Sequence, residues 1–145
     1  MKHISSLPIA LKDYVEVEQE DKAGAFVYFS GEVRNHNEGR KVTKLSYEAK
    51  EDMAELIIKD ILKEAKEKYG VHYAHCVHRI GEVEMSGCAI VVVTGGSHRE
   101  ETYQANKYIV DRVKYEAPIW KKEYFEDGEI TWGKNSTKRP NYLDE

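Results

Sequence analysis

Cysteine is scarce in this chain. The two present, Cys76 and Cys88, have no CxxC partner and no zinc-type spacing. They fall in neighbouring strand-like segments, where a disulfide is conceivable, but the reading expects two reduced thiols of a cytosolic protein. No apolar run approaches the ~20 residues of a membrane span, so no membrane partner is expected. The N-terminus lacks the basic, apolar and small-residue order of a signal peptide, which points to the cytoplasm. An excess of positive charge is missing too: 22 Lys and Arg stand against 26 Asp and Glu, for a formal net charge of -4. Bulk nucleic-acid binding fits that balance poorly. The phosphate loops GxxxxGK[ST] and GxGxxG are absent, and no Ser-His-Asp or Cys-His arrangement is recognisable. His36, His72, His75 and His78 have no metal-ligand spacing, so neither a metal nor a cofactor is expected.

What is present is globular: 145 residues, 41% hydrophobic and 33% charged, without repeats or low-complexity tracts. That length fits one domain over residues 1–145, with residues 133–145 as a polar tail. Pro8 opens a short helix over residues 9–17. Residues 25–33 read as a strand, residues 35–40 as a polar turn, and residues 42–49 as a second strand paired antiparallel to the first. The clearest helix covers residues 51–69, where Ala54, Ile57, Ile58, Ile61, Leu62, Ala65 and Tyr69 form one apolar stripe and Gly70 supplies the stop. Residues 73–80 and 89–94 read as strands joined by a connection over 81–87; residues 89–93 form a continuous apolar run, which marks the second strand as central. Gly95-Gly96-Ser97 breaks it. Ser97 with Glu100 has capping-box spacing, and a helix follows to Glu116 with Tyr103, Asn106, Ile109, Val110 and Val113 inward. Pro118 ends it, and a hairpin over residues 119–125 and 129–132 closes the chain. Hairpin-linked strands without regular alternation favour α+β, a mostly antiparallel sheet with two main helices.

The segment from Ser97 to Glu123 is dense in cations. A basic cluster in an acidic protein fits a small anion better than a basic surface. His98 and Arg99 open the helix, where free N–H groups favour an anion and an Arg opposes the dipole; the alternative is a solvated surface pair. Lys107 and Arg112 follow. Lys114 lies near the helix C-terminus, where a cation is favoured in any case. Lys121 and Lys122 point to opposite faces of a strand, so one of them at most enters a given pocket; a charged edge is the other reading. Trp120 is core or a wall of the site. Arg34 ends a strand and suits bidentate phosphate binding or a surface ion pair. Lys114 and Lys121 flank the Pro118 bend and could meet on one ligand. On the residues alone, a non-catalytic module for a phosphorylated metabolite or an acidic peptide tail stands level with an enzyme. An RNA-binding α+β domain fits the acidic balance less well.

Five segments together resemble the large, catalytic subunit of molybdopterin synthase: residues 31–37 (GEVRNHN), 47–49 (YEA), 78–81 (HRIG), 97–99 (SHR) and 117–123 (APIWKKE). The resemblance runs from about Gly24 to Trp132. It implies an α/β hammerhead fold. It implies an enzyme that converts cyclic pyranopterin monophosphate (precursor Z) into molybdopterin by installing the dithiolene sulfurs. The sulfur donor would be the C-terminal Gly-Gly thiocarboxylate of a small ubiquitin-like subunit, threaded into a pocket of the large one. Two large subunits would form the core of a heterotetramer. By motif, Lys114 and Lys121 match the family's active-site lysines. Arg34, His98 and Arg99 match its substrate pocket, with Glu32, Val33, Lys122 and Glu123 beside them. The basic tail residues Lys134, Lys138 and Arg139 are left without an assigned role.

Overall fold

Two mostly antiparallel sheets and two long helices make up an α+β fold in this computed structural model, which describes residues 2–15 and 21–135. The strands are β1 (Ile4–Ser5), β2 (Ala25–Glu32), β3 (His36–Asn37), β4 (Arg40–Ala49), β5 (Tyr73–Arg79), β6 (Gly81–Val83), β7 (Cys88–Gly96), β8 (Ile119–Phe125) and β9 (Ile130–Lys134). The helices are α1 (Glu51–Tyr69) and α2 (Arg99–Glu116). The first sheet has the order β1-β5-β7-β2; the second runs β3-β4-β8-β9, with β6 also paired to β4. Only β1 and β5 pair in parallel among the described strands.

Helix α1 has the bounds its apolar stripe predicts. Ala54, Ile58, Ile61, Leu62 and Ala65 are buried, and Gly70 closes the helix in the left-handed conformation with its N–H on the Lys66 carbonyl. Strand β7 is apolar from Ala89 to Val93 because both of its faces are covered. Ile90 and Val92 pack with the helices, while Val91 and Val93 pack with Ile9, Leu11 and Tyr14 of the N-terminal segment. Each such buried Val or Ile contributes about 1.5–3 kcal/mol.

Several expectations are corrected. The strands over 25–33 and 42–49 do not pair with each other: β2 lies along β7, and β4 along β8 and β6. The sequence pattern carries the reason. Strand β4 buries Val42, Leu45 and Tyr47 on one face, which is the face β8 shares with Ile119, Glu123 and Phe125. The hairpin in this region is instead β3–β4, turning at Glu38 and Gly39 with φ of 51° and 78°. The helix expected over 9–17 is a 3-10 turn at Leu11–Tyr14, and residues 16–20 lie outside the described residues. The connection 81–87 contains β6. Gly95 and Gly96 do not break β7 but belong to it. A Cβ at Gly95 would stand 2.6 Å from the Phe26 ring, and one at Gly96 would stand 2.4 Å from Thr102 Oγ1, so close packing demands both glycines. Ser97 is not the N-cap; that position is His98, and the Ser97 hydroxyl pairs with His72 Nε2 at 2.9 Å. Tyr103 is exposed, one residue off the buried stripe of Thr102, Ala105, Asn106 and Ile109.

Candidate active site

Three segments distant in sequence meet in one polar hollow. The end of β2 brings Glu32, Val33 and Arg34. The inner face of the second sheet brings Leu45, Tyr47, Lys121 and Glu123. The last turn of α2 brings Lys114. His36, Asn37 and Asn135 complete the lining of a cavity of about 150 Å³. Each approach has a local cause. A β-bulge at Gly31/Glu32 re-aims the end of β2. Val33 is then held from both sides, its N–H on the Gly87 carbonyl and its own carbonyl accepting from Ser86, which fixes where Arg34 begins. Helix α2 stops at Glu116 because Pro118 cannot continue it, and the chain returns at once as β8. Lys114 precedes that corner and Lys121 follows it. Tyr47 stands opposite Lys121 in the β4–β8 register, so the two share a face.

The hollow is organised around one buried carboxylate. Glu123 is 8% exposed. It accepts hydrogen bonds from Asn37 Nδ2 at 3.2 and 3.1 Å and stands 3.7 Å from Lys121 Nζ. Burial pushes the Lys114 ammonium below the usual lysine range, and the positive charges of Lys121 and Arg34 push it further; Asp111 opposes them. Burial, aided by Glu123, lifts the Tyr47 phenol to about 12, so it stays a protonated hydrogen-bond donor. This set of groups can hold anions and can take or give a proton at Lys114. A wider surface depression of about 380 Å³ lies at Arg40, Lys41, Phe125, Glu126 and Asp127. Its guanidinium is already bound to Asp127 at 2.9 Å and Glu129 at 3.2 Å.

Of the residues expected at the site, Glu32, Val33, Arg34, Lys114, Lys121 and Glu123 line this hollow. Lys122 does not: it lies on the opposite face of β8, over the Tyr124 and Trp132 rings. Trp120 shares that outer face, under Lys50. His98 and Arg99 do not reach the hollow either. They sit at the far end of α2, about 22 Å from Lys114 at ~1.5 Å rise per residue. The His98 side chain is 84% exposed beside Glu101. Glu100 and Glu101, which complement the helix dipole, follow Arg99 in that first turn. Lys107 pairs with Asp111, and Arg112 is held by Glu64, Glu116 and Tyr108. Lys138 and Arg139 lie outside the described residues. Tyr47, Asn37, His36, Leu45 and Asn135 line the hollow without having been singled out as site residues. Strand alternation would have placed Leu45 and Tyr47 beside Lys121, but only with the β4–β8 pairing known.

The fold and the hollow together define a class: α+β proteins that gather an arginine and two lysines around a cleft closed by a helix end and a sheet face. Within that class the chain belongs to the MoaE protein family, which residues 4–116 match. It is 38% identical over 135 residues to the molybdopterin synthase catalytic subunit of Thermoplasma volcanium, covering 84% of this chain and 98% of that protein. The crystal structure of molybdopterin synthase from Staphylococcus aureus superimposes with a TM-score of 0.83 at 37% identity, covering 90% of this chain and 95% of that one. A Helicobacter pylori structure, a protein–protein complex of subunits 1 and 2 of the molybdopterin-converting factor, shares the fold at 22% identity and a TM-score of 0.73, covering 94% of this chain and 92% of that one.

Proposed function

We propose that this chain is the catalytic subunit of a molybdopterin synthase. It takes sulfur from the C-terminal thiocarboxylate of a small ubiquitin-like carrier and delivers it to cyclic pyranopterin monophosphate, forming the dithiolene of molybdopterin. The observation that carries this reading is the meeting of Arg34, Lys114 and Lys121 in one hollow of a chain of this family. Both reactants are anions, one a phosphate ester and the other a thiocarboxylate, so the first task is to bring like charges together. Arg34 suits the phosphate by its bidentate fork. Lys114 and Lys121 neutralise the thiocarboxylate and the oxyanion that forms when its acyl carbon is attacked. The carrier's sulfur is the nucleophile toward the pterin; once it is bonded there, water attacks the acyl carbon, the acyl carbon–sulfur bond breaks, and the carrier leaves as a carboxylate. Lys114, with its lowered proton affinity, moves the proton. Glu32, Val33 and Glu123 line the place where the substrate would lie.

His98 and Arg99 take part only if a second copy supplies them, which suits a dimeric core with one carrier at each end. Lys122 faces away from the substrate in this reading. The whole chain acts as one domain, and we place the reaction in the cytoplasm; no described helix is long and apolar enough to cross a membrane.

The test is reconstitution with a purified thiocarboxylated carrier and precursor. Lys114→Ala and Lys121→Ala fold normally and lose about a hundredfold or more in single-turnover dithiolene formation, as expected for the loss of one oxyanion-type contact at ~3 kcal/mol. Undiminished rates in both variants would overturn the assignment. Arg34→Ala chiefly weakens precursor binding, and an unchanged affinity removes Arg34 from the site.

A further inference from the structure

His78 is a buried imidazole next to the hollow that has no part in the proposed reaction. It is 1% exposed, at the end of β5, directly behind the wall that carries Tyr47, Lys114 and Asn135. Its surroundings fix its tautomer. Nδ1 lies 2.8 Å from the backbone carbonyl of Arg79, which can only accept, so Nδ1 carries the hydrogen. A neutral ring then leaves Nε2 bare. The group facing it, at 2.9 Å, is Asn135 Nδ2. A bare ring nitrogen can only accept, so the amide must present its NH₂ to His78 and its carbonyl oxygen elsewhere. The ring is held independently of this bond. Its backbone N–H donates to the His3 carbonyl, and the Tyr47 ring stands edge-on at 4.9 Å.

We infer that His78 and Asn135 are a positioning pair for the candidate pocket: the imidazole engages the Asn135 NH₂ and so leaves the amide's carbonyl oxygen as an uncharged acceptor available in the lining that Lys114 and Lys121 share. The inference rests on the pocket being the reactive site, as proposed above. The choice of an amide has a chemical reason. A carboxylate in that place would pull the proton back onto Lys114, which Arg34 and Lys121 disfavour and only Asp111 supports. A neutral acceptor supports the ammonium far less than a carboxylate would and adds no charge to that balance. His78 itself is kept neutral by its burial and by the nearby Lys114 charge, with the Arg79 carbonyl opposing. The Tyr47 phenol, whose ring stands edge-on to the imidazole, is itself protonated.

Two titrations without substrate, and one with it, test the pair. In the full chain labelled with nitrogen-15 histidine, long-range proton–nitrogen spectra should show His78 as the Nδ1–H tautomer, without titration between pH 8 and about 5.5. An Nε2–H tautomer, or a midpoint near the ordinary histidine value, would overturn the inference. Asn135→Asp removes the donor and adds a charge. It should draw a second proton onto His78 and raise the Lys114 midpoint, followed by carbon-13 labelled lysine, by about one unit or more. In the complex with thiocarboxylated carrier, the pH midpoint of sulfur transfer should rise by the same amount. Asn135→Leu should slow transfer about tenfold and lower the Lys114 midpoint slightly, opposite in sign to Asp, because an acceptor for the ammonium is lost. If Asp and Leu variants lose activity in parallel with no change in either titration, Asn135 is structural only and the pair has no positioning role. Because the two titrations need no substrate, they decide the matter even if the chain shows no sulfur transfer at all.

Discussion

In the proposed reaction Lys114 is the residue on which the chemistry turns, and its proton affinity is the sum of opposed neighbours. Burial, Lys121 and Arg34 each favour the neutral amine, and Asp111 favours the ammonium. The signs can be separated by mutation. If neutral Lys114 is the base, the rate rises with pH through its midpoint. Lys121→Gln removes a repelling charge, so the Lys114 midpoint and the rising limb move to higher pH. Asp111→Asn removes an attracting one, so both move lower. A pH–rate profile on each variant, taken with saturating carrier, reads the direction. Shifts of the same sign in both variants would mean that the limb belongs to another group. Lys114 and Lys121 were legible in the sequence because a proline between a helix end and a strand start is a local signal. Their neighbours in the hollow, Tyr47 and Asn37, were not. Their places depend on strand β4 lying against β8, a pairing between segments 70 or more residues apart in sequence that no local pattern announces.

Most elements could be read from periodicity, and the failures lie in how the elements were joined. Helix α1 came out with its observed bounds because an apolar stripe, a polar face and a terminal glycine all agree. The pairing of β2 was misread because adjacency in sequence usually implies a hairpin. Here β2 instead needs a partner that leaves both of its faces covered, and β7 supplies one. This placement matters for the site, since the bulge at its end aims Arg34. Gly31 makes it possible: a Cβ there would stand 2.6 Å from Ile90 Cγ2, and Ile90 is 1% exposed. Gly31→Ala should therefore cost about 1–3 kcal/mol of stability by overpacking. It should also weaken precursor binding, because the end of β2 must shift. Urea denaturation and precursor titration on the same variant check the two effects. A variant of unchanged stability would show that the Ile90 side chain makes room.

At the scale of the whole molecule, the first sheet carries two buried imidazoles, one on each face of β5, and together they set how the fold meets acid. His75 is 5% exposed, between the His3 and Tyr14 rings at 5.5 and 5.7 Å. Burial lowers both His75 and His78 from 6.5 to about 4. Above the ordinary histidine value both rings are neutral, folded or unfolded, and they exert no pull. Between pH 6.5 and about 4 the unfolded chain takes up two protons that the folded one refuses, so stability falls as pH falls. Below that range the folded chain takes them as well and this contribution to the loss levels off. The slope should be about 1.4 kcal/mol per pH unit for each ring, on the order of 3 kcal/mol per ring across the window. His75 is the better probe, because its Nε2 is buried without a hydrogen-bond partner and its removal breaks no polar contact there. His75→Phe should keep the ring packing against Tyr14, leave stability at pH 7.5 nearly unchanged, and halve the histidine part of the slope between pH 6.5 and 4.5. Urea denaturation at four or five pH values measures it. An unaltered slope would mean that His75 binds its proton equally in both states, and that carboxylates alone govern the acid limb.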